Sequence, residues 1–266
     1  MKKIMIIAGS IVFIFLILMF AVSRNQAKLI FFPGRLPAGF VYNGGEELTI
    51  KTNDGEQINA LFFRGTENGV ILYFHGNAGD LSNWQDVYGD FRSTGLSMLI
   101  IDYRGYGKST GTISEKGLYA DGQAAMDYLK NELKFNPHDI IVYGRSIGSG
   151  IAVETAVNNQ LKALVLEAPF QSLTRFARDR YAWLLPGLYL KFNFDNDKKI
   201  KNVKIPVLII HGTHDEVIPL HYGKALFDAY DGPGKFVAIN GATHNNLSDF
   251  PEYFLELADF LKNLPE

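Results

Sequence analysis

The stretch that most limits how this chain can fold is Ile140-Ile141-Val142-Tyr143-Gly144-Arg145-Ser146-Ile147-Gly148. An apolar, β-branched run stops at a glycine, passes through a serine and turns at once into a segment of helical character over 147–158. The G-x-S-x-G spacing has a physical reason. A serine raised on so sharp a strand-to-helix turn holds a strained backbone, and such strain persists only where the surroundings enforce it. Residues two before and two after crowd the turn, so Gly144 and Gly148 omit the side-chain volume that would collide. The helix behind the serine also points its positive end at negative charge developing there. A glycine-rich turn that merely contains a serine is the plainer alternative, and the strand before it and the helix after it weigh against that reading.

Around this turn the chain alternates between apolar strands and helices. Strands are expected over 70–74, 96–101, 140–143, 163–166, 206–210 and 236–239, and helices over 81–93, 114–133, 220–230 and 250–261. Before them, Asn53-Asp54-Gly55 separates two alternating runs, a hairpin signal. Continuous apolar strands between helices imply a parallel sheet covered on both faces. The expected fold is thus α/β, a mostly parallel eight-stranded sheet after an antiparallel start. Residues 170–200 break the rhythm with large apolar side chains, and an insertion of that length reads as a small helical lid.

The first residues form a separate unit. Met1-Lys2-Lys3 precedes nineteen residues without a charge, Ile4 to Val22, which as a helix span roughly 28 Å, close to a hydrocarbon core. The run is longer than the ~7–15 apolar residues of a secretory signal. An uncleaved anchor over 1–23 is therefore favoured over a leader cut near Ala21-Val22-Ser23. A buried core helix fits least, since the run is not amphipathic. Residues 24–45 would be a juxtamembrane linker and 46–266 the α/β domain. Within that linker Leu29-Ile30-Phe31-Phe32-Pro33 suits a strap packed on the domain better than a headgroup contact. Lys2 and Lys3 before the span face Arg24, Lys28 and Arg35 after it, so charge does not fix its orientation; the domain is placed on the extracytoplasmic side, with secretion after cleavage as the alternative.

Composition excludes several chemistries. The chain has no cysteine, so disulfides, thiolate catalysis and cysteine-ligated zinc are out. A net charge of -2 and the lack of a basic, aromatic-interleaved stripe give nucleic acid no footing.

A serine hydroxyl needs an adjacent base, and that base needs a third group to orient it. Of the 6 histidines, His244 alone lies in a loop after the last expected strand, and Asp215 follows the strand before it. Glu216 and Glu167 are the competing acids. Two backbone amides should hold the oxyanion: that of Ile147, next to the serine, and that of Asn77, in the glycine-flanked loop His75-Gly76-Asn77-Ala78-Gly79. His75 itself suits a structural role. Gly107-Lys108-Ser109-Thr110 lacks the first glycine of a phosphate loop, because Asp102 stands there. His211, His214, Asp215 and His221 could suggest a metal, but Asp215 cannot serve both it and His244. No metal and no cofactor is expected.

Five motifs in order carry a resemblance: His75-Gly76-Asn77-Ala78-Gly79, Asp102-Tyr103-Arg104-Gly105-Tyr106-Gly107-Lys108-Ser109, Gly144-Arg145-Ser146-Ile147-Gly148, His211-Gly212-Thr213-His214-Asp215 and Gly241-Ala242-Thr243-His244. Over residues 29–264 the chain resembles the α/β hydrolase superfamily, and within it the bud-emergence-protein-like branch of membrane-associated ABHD-type serine hydrolases. The resemblance implies a Ser146–Asp215–His244 triad and hydrolysis of esters or thioesters. Its implied substrates are small-molecule or lipid esters, or acylated proteins. An aminopeptidase or amidase using the same triad is the enzymatic alternative, and an inactive binding or scaffold protein the non-enzymatic one.

Overall fold

Successive residues of the inner strands face opposite layers, and both layers are apolar. In the strand through the elbow, Ile140 and Val142 join one core while Ile141 and Tyr143 join the other. That two-sided burial is why these strands read as unbroken apolar runs. The computed structural model describes residues 1–265. Its strands are β1 (Phe32–Pro33), β2 (Glu46–Lys51), β3 (Gln57–Phe63), β4 (Val70–Phe74), β5 (Ala78–Gly79), β6 (Ser97–Ile101), β7 (Ile140–Arg145), β8 (Ala163–Glu167), β9 (Val207–Gly212) and β10 (Gly234–Ile239). Eight of them form one sheet in the order β10-β9-β8-β7-β4-β6-β3-β2. The pairing is parallel from β10 to β6, and β3 joins β6 and β2 antiparallel. The fold is the mostly parallel eight-stranded α/β arrangement expected.

Helices cover both faces. Those longer than a turn or so are α1 (Lys2–Ile30), α4 (Glu115–Asn131), α5 (Gly148–Asn158), α6 (Leu173–Tyr181), α8 (Leu220–Asp228) and α9 (Pro251–Lys262); α2 (Leu81–Trp84), α3 (Tyr88–Phe91) and α7 (Asn196–Lys199) are single turns. Helices α4, α5 and α8 pack on one side of the sheet, and α2, α3 and α9 on the other. The single helix expected over 81–93 is broken into α2, α3 and 3₁₀ turns. Ser82, Asn83, Asp86, Gly89 and Asp90 are weak helix formers, and tertiary packing does not compensate. Helix α4 instead starts cleanly, with the Ser114 hydroxyl accepting from the Gly117 amide at 3.1 Å.

The chain order creates the crevice. After β4 the chain moves one way to β6, then returns past β4 to β7 on its other side. The loops leaving β4 and β7 therefore part at the carboxyl ends of the strands, the place where open α/β sheets hold ligands. Register aligns them, with Phe74 opposite Gly144.

At the N-terminus the structure departs from the expected boundaries. Helix α1 passes residue 23, breaks its geometry only at Asn25 (φ -110°, ψ 15°) and ends at Ile30. Residues 24–45 are accordingly no free linker. Phe31 is buried against Phe192, with ring centroids 5.0 Å apart. Phe32 and Pro33 pair in parallel with Ala78 and Gly79, and Gly34 donates to Gly79 O at 2.7 Å. The strap reading of residues 29–33 is the one the structure takes.

One buried ion pair ties the hairpin to the helical layer. Arg104, after β6, donates from Nε and Nη2 to Asp121 Oδ1 of α4 at 3.0 and 2.8 Å, and from Nη1 to Asp54 Oδ2 in the hairpin turn at 2.8 Å. Asp121 is fully buried. Arg104→Met should strand that carboxylate and destabilise the fold by about 3–5 kcal/mol, the usual cost of breaking a buried pair. Denaturant unfolding in detergent measures it, and a loss under ~1 kcal/mol would contradict the account.

Candidate active site

Ser146 lies at φ +53°, in the left-handed region that side chains avoid. Its amide donates to Glu167 O at 2.8 Å, which ties the turn to β8. The flanking glycines are required by close approach. A Cβ at Gly148 would stand 2.2 Å from the Phe74 carbonyl oxygen, and one at Gly144 2.5 Å from Ala152 Cβ. Packed this tightly, the turn cannot relax, and the serine hydroxyl is presented at the floor of the crevice.

Two loops from neighbouring strand ends meet it. His244 follows β10 and brings Nε2 to 3.0 Å from Ser146 Oγ, while its Nδ1 lies 2.7 Å from Asp215 Oδ2, after β9. A carboxylate only accepts, so Nδ1 carries the proton and Nε2 is left to accept from the serine. Asp215 is itself cradled: Oδ1 accepts the amides of Val217 at 2.9 Å and Ile218 at 2.7 Å. Burial alone pushes its carboxyl up. Hydrogen bonds from His211 and His244 and from the Ile218 amide more than reverse that, and hold it well below the usual carboxylate range. These donors favour the ionised carboxylate. Neither competing acid takes this place. Glu216 is exposed, and Glu167 accepts from Tyr143 at 2.5 Å and from Arg145 Nε at 3.1 Å.

The Ile147 and Asn77 amides have no other hydrogen-bond acceptor among the described residues. The Asn77 loop is held from below, because Tyr106 donates its hydroxyl to Asn77 O at 2.7 Å. His75 is fully buried beneath it, with Nδ1 2.7 Å from Gly76 O and its ring 4.4 Å from that of Tyr103. All five expected site residues, Ser146, Asp215, His244, Ile147 and Asn77, converge at this one end of the sheet.

A cavity of about 480 Å³ opens over Ser146 and Ile147. The lid contributes Leu173, Phe176, Tyr181 and Leu184, and no charged side chain lines the cavity among the described residues. Trp183, at 63% exposed, does not line it. Three supports were not foreseen from sequence. His211 donates from Nε2 to Ile218 O at 2.7 Å and lies 3.3 Å from Asp215, a second imidazole on the same carboxylate. Arg145 reaches His244 O at 3.3 Å while paired to Glu167. Gln26 of α1 is buried against the lid. The first two sit inside motifs whose spacing was visible. Gln26 carried no distinguishing signal in the sequence, since it stands among Ser23, Arg24, Asn25 and Lys28.

The chain belongs to the alpha/beta hydrolase family. A family model described as serine aminopeptidase, S33 matches residues 65–202. An uncharacterized protein of Mycobacterium tuberculosis is 35% identical over 236 residues, 86% of this chain and 84% of that one. The human alpha/beta hydrolase domain-containing protein 17B is 35% identical over 217 residues, 79% of this chain and 73% of its own. Among solved structures, the Pyrococcus furiosus esterase Pf2001 superposes with a TM-score of 0.72 at 18% identity, covering 88% of this chain and 97% of that one. That likeness concerns the fold.

The backbone at Ser146 yields a stability test. Relieving a left-handed non-glycine residue is worth about 1 kcal/mol. Ser146→Gly should therefore melt above Ser146→Ala, the comparison removing the hydroxyl from both. Equal melting temperatures would mean the turn holds no strain.

Proposed function

We propose that the chain is a membrane-anchored serine hydrolase that cleaves carboxylic esters or thioesters carrying an acyl chain. The observation that supports this most is the unbroken hydrogen-bonded line from Asp215 through His244 to Ser146, at 2.7 and 3.0 Å, on the floor of an uncharged cavity. As His244 Nε2 takes the hydroxyl proton, Ser146 Oγ bonds to the substrate carbonyl carbon. The carbonyl oxygen becomes an oxyanion, which the Ile147 and Asn77 amides receive. When the tetrahedral intermediate collapses, the bond to the leaving group breaks and His244 protonates that group. Water, deprotonated by His244 in turn, then attacks the acyl-enzyme; as that second tetrahedral intermediate collapses, the bond to Ser146 Oγ breaks, His244 returns the proton to Oγ, and the acid leaves. Asp215 stays ionised throughout and holds the imidazole in the tautomer that accepts. Lipid esters and acylated proteins both present such a carbonyl.

The description of the matching family model favours a second reading, an aminopeptidase. A free α-ammonium group calls for a carboxylate beside the nucleophile, whereas this cavity is lined without charge. That favours esters.

A fluorophosphonate probe should label the full chain in detergent and fail on Ser146→Ala, and p-nitrophenyl esters should turn over far faster than amino-acid anilides. Anilides turned over faster than esters would reverse the assignment. Asp215→Asn should lower kcat by about 10⁴-fold with labelling slowed in parallel, as expected when the imidazole loses its orienting anion.

A further inference from the structure

Helix α1 has 29 residues, about 43 Å at helical rise. A hydrocarbon core takes about 20 residues. Residues 4–21 are exposed almost throughout, and Val22 is the last apolar residue before Ser23 and Arg24. The last two turns therefore extend past the span, and their surroundings change. Val22, Ser23, Gln26, Ala27 and Ile30 turn inward at helical spacing, and of these Gln26 is only 3% exposed.

This end of the helix is fastened on two sides. Gln26 Nε2 donates to Tyr189 O at 2.8 Å, and its Oε1 accepts the Lys191 amide at 2.7 Å, so one side chain satisfies two backbone groups of the lid. On the other side Asn77 Nδ2 donates to Ile30 O at 2.5 Å, and the following residues pair with Ala78 and Gly79. The helix end is thus stitched between the lid and the oxyanion loop. Val22, Gln26, Leu29 and Ile30 line the same cavity as Ser146. The cavity reaches from Ser146 to Val22, at the end of the apolar run.

We infer that residues 22–30 of α1 form one wall of the acyl site, and that an acyl chain reaches Ser146 along this wall from the bilayer side. The inference rests on the hydrolase reading above and adds the specificity-determining surface. A chain lying beside the uncharged part of α1 meets a continuous apolar path: the membrane, Val22 and Leu29, then Phe176 and Leu184 opposite. Transfer along it exposes no apolar surface to water. Gln26 is a positioning residue here, since it holds the lid against the helix without reaching the reacting atoms.

The test uses the full chain in detergent micelles with p-nitrophenyl acetate and p-nitrophenyl dodecanoate. Val22→Trp and Leu29→Trp, which fill the wall from two positions, should each lower the ratio of dodecanoate to acetate kcat/KM at least tenfold. Gln26→Met keeps the side chain's length but frees the lid, and should raise KM for dodecanoate more than it lowers kcat. Ile11→Trp, in the exposed part of the same helix, should leave the ratio within twofold. If both wall variants keep the wild-type ratio while the fluorophosphonate still labels Ser146, the wall is overturned and the hydrolase reading stands. A wild-type chain that is not labelled would sink both.

Discussion

Everything at this site depends on the contact between Gly148 and the carbonyl of Phe74. With a Cβ position 2.2 Å from that oxygen, α5 rests on the end of β4 with no side chain between them. The contact sets how sharply the chain must turn after β7, and so forces Ser146 to φ +53°. It also brings the two strand-end loops together, one carrying the serine and the other Asn77. Ser146 and the amides of Ile147 and Asn77 are therefore one piece of geometry seen from two strands, and a shift of either strand would move both.

The histidine and the acid reach this point by a different route. They leave the adjacent strands β9 and β10, whose parallel pairing puts their loops side by side. The imidazole is oriented by an anion that is tightly held: two backbone amides and His244 donate to Asp215, and a second histidine lies 3.3 Å away. Such preorganisation limits how far the groups must move during reaction. Arg145 links the two halves, since it belongs to the elbow, pairs with Glu167 and supports His244 through its carbonyl.

Much of this was legible in the residues. The period change from alternating strands to strand–helix units gave the sheet and its antiparallel start. Order along the chain and strand-end placement singled out Ser146, Asp215 and His244, because each lies where a parallel sheet must end a strand. Ile147 and Asn77 followed from their neighbours. What could not be read was packing between parts distant in sequence. Gln26 and Tyr189 are separated by 163 positions, and no periodicity relates them. Tyr253 and Glu167 meet beneath the elbow across 86. The helix over 81–93 failed for a local reason, weak helix formers around Gly89. The boundary at residue 23 failed because hydropathy marks where a membrane ends and says nothing about where a helix does.

The kink at Asn25 and the clamp beyond it bear on the fate of the N-terminus. A cut near Ala21-Val22-Ser23 would leave about two helical turns, too few to hold themselves as a helix in water. The lid and the oxyanion loop would then lose the strut they share. A chain cut there would carry an open trough over Ser146 where the intact chain has a chamber.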